Sequence, residues 1–167
     1  MRAGHSEAHV QNIEPKETKT QPLERFLAIA AAAVCLIASL RLGQVVWQVA
    51  YSSGPGAAET AANPLPGLYV LEMLMLSGVG LIGAFRDWTK AIWAVAGAVV
   101  AFSVMGAWSI GFAFLPTAVL FTLAAILATR RKRQNLVANV LVWVCAGIVQ
   151  ASMMLIVIRI VEPNAIL

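Results

Sequence analysis

From Phe26 to Leu40 the chain runs for fifteen residues through nothing but apolar or small side chains, broken only by Ser39. Four more apolar stretches follow, and together they set what the chain can fold into. A soluble domain must cover such segments with a charged surface. Here 60% of the 167 residues are hydrophobic, only 12% are charged, and the mean hydropathy is +0.79. The charges are also clustered. A lipid bilayer, with a hydrocarbon core of ~30 Å, removes the conflict, because a helix of about 20 apolar residues crosses it.

Read this way, the chain is an all-α polytopic membrane protein. Its five transmembrane helices span about residues 26–50, 67–85, 91–108, 110–129 and 136–161, preceded by a disordered cytoplasmic tail over 1–25. The domain organisation is thus a polar tail (1–25), a transmembrane helical domain (26–161) and a short C-terminal tail (162–167). The tail has no apolar core and is not a cleavable signal peptide. Between the first two spans, Gly54, Pro55, Gly56, Pro64 and Pro66 punctuate a loop. Pro116 suits an early helical turn, where its missing N–H costs little. It leaves the upper end of the fourth span short, kinked or irregular. Gly80 and Ala84, and then Ala94, Gly97, Ala98 and Ala101, form small-residue faces on which another helix can approach closely.

Basic residues alternate strictly along this scheme. Arg2, Lys16, Lys19 and Arg25 precede the first span, Arg86 and Lys90 follow the second, and Arg130, Arg131, Lys132 and Arg133 follow the fourth. The other two connections carry no base. Ten of the twelve bases therefore fall on one side, and only Arg41 and Arg159 do not. By the positive-inside rule this orients the N-terminus to the cytoplasm and the C-terminus outside a bacterial plasma membrane, with the Arg130–Arg133 run as the strongest determinant. Four spans, with 91–129 as one, would put that run on the opposite side from the tail.

The net charge of +4 does not point to nucleic acid, since the bases sit beside spans and no finger spacing or aromatic RNA-binding motif accompanies them. Cys35 and Cys145 lie inside apolar runs and read as small apolar side chains. His5 and His9 lack a third ligand, so no metal site is expected, and no cofactor either. The methionines, Met73, Met75, Met105, Met153 and Met154, read as packing residues rather than a Cu(I) path, and Trp47, Trp88, Trp93, Trp108 and Trp143 as interfacial anchors near span ends. No nucleophile elbow, zinc-protease motif or phosphate loop occurs, so the chain leans away from enzymes.

What remains is polar residues inside spans. Arg41, Gln44 and Gln48 fall within one helical arc of the first span. Counting 1.5 Å per residue from each helix end places Glu72 and Gln150 at a similar depth, in the outer half. Asn139 shares Gln150's face but lies nearer the cytoplasm. These residues form a candidate cluster with two main readings, beside contact with a partner subunit or with lipid head groups. In one, Arg41 and Glu72 form a salt bridge that locks the first span to the second. In the other, an outward-facing pocket binds an ion, a proton or a small solute. The corresponding functions are a non-enzymatic accessory or assembly subunit, and a small oligomeric transporter or channel. The partners implied are the lipid bilayer and a second copy or a larger membrane complex.

Overall fold

The computed structural model describes residues 21–51, 64–106 and 111–161. Most of the tail with His5 and His9, most of the first loop, Trp108, and residues 162–167 lie outside the described residues. Five α-helices are present: α1 (Gln21–Ala50), α2 (Leu65–Phe85), α3 (Thr89–Met105), α4 (Leu115–Arg131) and α5 (Leu136–Val161). A short 3-10 turn, Gly111–Phe114, leads into α4, and no strand occurs among the described residues. The protein is an all-α helical bundle, and four of its helical segments are long and apolar enough to cross a membrane. The exception is α3, with 17 residues, about 25 Å at 1.5 Å per residue.

The boundaries follow local chemistry. Among the described residues α1 already runs from Gln21 rather than 26, and Glu24 within this added turn meets a partner described below. Pro116 occupies the first turn of α4, and the irregular stretch expected above it is the 3-10 turn. α2 and α4 end alike. Asp87 (φ 58°) and Arg133 (φ 49°) adopt left-handed backbone. The N–H of Trp88 then donates to the Gly83 carbonyl at 2.8 Å, and that of Gln134 to the Thr129 carbonyl at 3.2 Å. This is the Schellman closure, made here without glycine.

α1 packs on α2 and α4, and α3 packs on the same two helices, so the four close a ring. α5 lies outside it, against the remaining side of α3. The small side chains decide this arrangement. On α1, Ala28, Ala31, Ala32, Cys35 and Ser39 form the buried stripe. Gly80 of α2 leaves the space that the fully buried Phe121 ring fills, since a Cβ there would collide with it. Gly97 of α3 faces the backbone of Trp143 so closely that any Cβ would strike its carbonyl, and Gly147 faces the Gly97 carbonyl in return. α3 is buried on nearly all sides, as a helix apolar all round should be. α5 buries only Asn139, Gln150 and Met154.

One expectation fails at Trp93. It is 3% exposed rather than interfacial, and its indole N–H donates to Thr129 Oγ1 at 2.8 Å. Asn139 Nδ2 donates to the same oxygen at 3.0 Å, and Thr129 passes its own proton to the Ala125 carbonyl at 2.9 Å. A tryptophan near a span end can serve the core when a neighbouring helix offers an acceptor. Trp47 and Trp88 are exposed, as anchors would be.

Candidate functional site

Two polar centres lie at different levels of the bundle. At the end where α1 begins, α2 turns into α3 and α4 stops, an ion network joins all three segments. Arg131 Nε donates to Glu24 Oε1 at 2.8 Å, and its Nη2 to Asp87 Oδ1 at 2.5 Å. Lys132 Nζ lies 3.0 Å from Asp87 Oδ2 and also donates to the Asp87 carbonyl. Glu24 is nearly buried, in the first turn of α1, while Arg130 and Arg131 occupy the last turn of α4. Both placements complement the helix dipoles. Burial pushes the Asp87 carboxyl up, but the hydrogen bond and charge of Lys132, with the charge of Arg131, outweigh it and hold the group below its usual range. Of the basic run, Arg131 and Lys132 are thus engaged in the network, while Arg130 and Arg133 are exposed.

The second centre holds the residues singled out in the sequence, and the structure divides them. Glu72 of α2 and Gln150 of α5 meet: Gln150 Nε2 donates to Glu72 Oε1 at 2.6 Å, with Gln150 4% exposed and Glu72 half-buried. Arg41, Gln44 and Gln48 share one face of α1, as the spacing requires, but that face is exposed. Arg41 forms no ion pair or hydrogen bond with any described residue, and Glu72 is paired with Gln150 instead. The reason is helical phase. Arg41 stands two residues beyond the buried Ser39, about 200° round the helix from the stripe that packs on α2 and α4.

Glu72 opens onto a groove of about 340 Å³ between α2 and α5, lined by Leu68, Tyr69, Leu71, Met75, Met153, Met154 and Val157. Of its methionines, Met154 is buried, but Met75 is 65% and Met153 45% exposed, so these two are not core fillers. The groove opens sideways, toward what would be lipid. A larger apolar groove of about 420 Å³ lies between α3, α4 and α5, around Val100, Ser103, Ala118 and Trp143. Deeper in the bundle, polar groups join helices. Ser77 Oγ donates to the Ala32 carbonyl at 3.0 Å, and Cys35 Sγ to the Met73 carbonyl at 3.5 Å.

Glu24 and Asp87, which tie α1 and the α2–α3 turn to the end of α4, were passed over in the sequence reading. Their signal was available: each is an acid at the end where bases accumulate, flanking a span. Compared with known protein families, curated proteins and solved structures, the chain matches none.

Proposed function

We propose that this integral membrane protein is a non-enzymatic accessory or assembly subunit that receives a partner helix laterally, in the groove between α2 and α5. The observation that carries this reading is the position of Glu72. It is a carboxylate within a span, half-exposed, on the flank of the bundle rather than inside it. A charge at that depth costs roughly 2.5–3.5 kcal/mol on insertion scales, and a partner group that meets it offsets the cost. Flexible methionines at the groove mouth suit a surface that adapts to a second helix. Ser77, Cys35, Trp93 and Asn139, by contrast, are spent on joining this chain's own helices. We further propose that the networked end, with Arg130, Arg131, Lys132 and Arg133, faces the cytoplasm of a bacterial cell.

A photo-crosslinking side chain at Met75, in native membranes, tests the docking reading. A discrete protein adduct is expected from Met75 and none from Ile148, which is exposed on α5 about 140° round the helix from Met153 and the groove. Lipid adducts alone at both positions, with proteoliposomes showing an ion flux that Glu72→Gln abolishes, would overturn it in favour of a transporter.

A further inference from the structure

We infer that the helix received by the groove is α1 of a second copy of this chain, with its Arg41 seated beside Glu72. This rests on the lateral-docking reading above and names its partner. Three observations converge on it. The first is charge. Arg41 is exposed and has no described partner, while on Glu72 only Oε1 is taken, by Gln150. One chain thus presents an unmatched cation on one face and an available carboxylate oxygen on another. Its own fold cannot join them, because Arg41 points away from α2.

The second observation is depth. α1 and α2 run antiparallel in contact, with Cys35 bonded to the Met73 carbonyl and Gly43 beside the Val70 side chain. Arg41 and Glu72 therefore lie within about one helical turn of the same level, roughly 5 Å, which the long arginine side chain spans. Copies inserted in the same orientation keep this match automatically. An unrelated partner helix would have to acquire it. The third observation is the flanking surface. Ile37 and Val45, one turn either side of Arg41, are exposed at 60% and 54%. In the implied register they meet Met75 and Leu68, which line the groove and are exposed at 65% and 43%. The polar face of α1 is thereby covered by a lateral groove that carries an opposite charge.

Cysteine cross-linking between differently tagged, co-expressed copies tests the pairing, in a Cys35→Ala, Cys145→Ala background. Val45→Cys in one copy with Leu68→Cys in the other, and Ile37→Cys with Met75→Cys, should each yield a mixed-tag disulfide on oxidation in membranes. Val45→Cys with Ile148→Cys, on the side of α5 turned away from the groove, should not. Yield should fall about tenfold with Arg41→Gln or with Glu72→Gln. The glutamine at 72 keeps an acceptor for Gln150, and position 41 is exposed, so both losses read pairing and not folding. A mixed-tag disulfide that is indifferent to both variants would overturn the Arg41–Glu72 contact. Absence of any mixed-tag disulfide, while the Met75 photo-adduct has the mass of a different protein, would overturn the second copy but leave lateral docking standing. Absence of both, with lipid adducts only, would remove the docking reading too.

Discussion

The two ends of the bundle treat charge in opposite ways. Around Arg131, four charged side chains from three segments close on one another within the single chain. In the other half, Arg41, Gln44 and Gln48 stand on the outside of α1, and Glu72 is met by a neutral amide. The difference teaches what each region is for. At helix ends, water and dipoles lower the cost of gathering charge, and the resulting network ties α1, the α2–α3 turn and α4 together. Within the spans, the alternative to a protein partner is lipid. Polar groups left on that outer surface are therefore the ones that the proposed docking would cover.

The comparison breaks most sharply at Arg131. Removing its guanidinium by Arg131→Met leaves Glu24 nearly buried with no cation, and breaking such a pair costs about 3–5 kcal/mol. Unfolding in detergent, followed by circular dichroism, should show a loss on this scale. Arg41→Met should leave stability of the isolated chain unchanged within about 0.5 kcal/mol, as expected of an exposed position without such contacts. Equal losses would mean that the two regions do not differ.

A second break falls on the outer region alone. Gly97→Leu forces a side chain into the Trp143 backbone, so α5 must move away from α3. Overpacking of this kind costs about 1–3 kcal/mol. Since Gln150 rides on α5, the groove should open and the mixed-tag disulfides disappear, while a disulfide between Gly43→Cys of α1 and Val70→Cys of α2, which are neighbours within the ring, persists. Loss of both would show that α5 supports the whole ring.

How far the sequence carried follows the same division. The spans were legible, because long apolar runs and alternating basic loops are one-dimensional patterns. α5 begins and ends where its run does. That Glu72 and Gln150 share a level was legible too, since position along a helix is a count of residues. Which way each faces was not. That depends on the stripe Ala28, Ala32, Cys35 and Ser39, and nothing in the run itself says that these small residues face other helices while Leu36 and Leu40 face outward. The ion network was obscured for a different reason. Orientation depends on bases, so Glu24 and Asp87 carried no weight, although a nearly buried acid among bases is a structural pair.

A smaller effect separates the regions by pH. The Asp87 carboxyl, held below its ordinary range by Lys132 and Arg131 against the opposing effect of burial, contributes stability that is fully present above the unfolded value of about 3.9. That contribution is lost as pH falls through the lower folded value. Stability of the networked end should thus be flat between about pH 5 and 8 on account of this group, and decline only below about pH 4. Asp87→Asn should lower the plateau and weaken the acid decline. A decline already under way near pH 6 would show that Asp87 is not held by its cations.

The smallest expected effect compares two turns of the same shape. Asp87 and Arg133 both hold left-handed backbone at a helix end, which costs a residue with a Cβ about 1 kcal/mol relative to glycine. Arg133 is exposed, and the bond its turn makes, from its N–H to the Arg130 carbonyl at 3.2 Å, is a backbone bond that glycine keeps. Arg133→Gly should therefore raise Tm slightly, by the equivalent of up to about 1 kcal/mol. Asp87→Gly relieves the same backbone cost but removes the carboxylate that Arg131 and Lys132 share, so it should lower Tm. Opposite signs at two turns of one geometry would locate the stabilisation in the charges. The same sign at both would place it in the backbone.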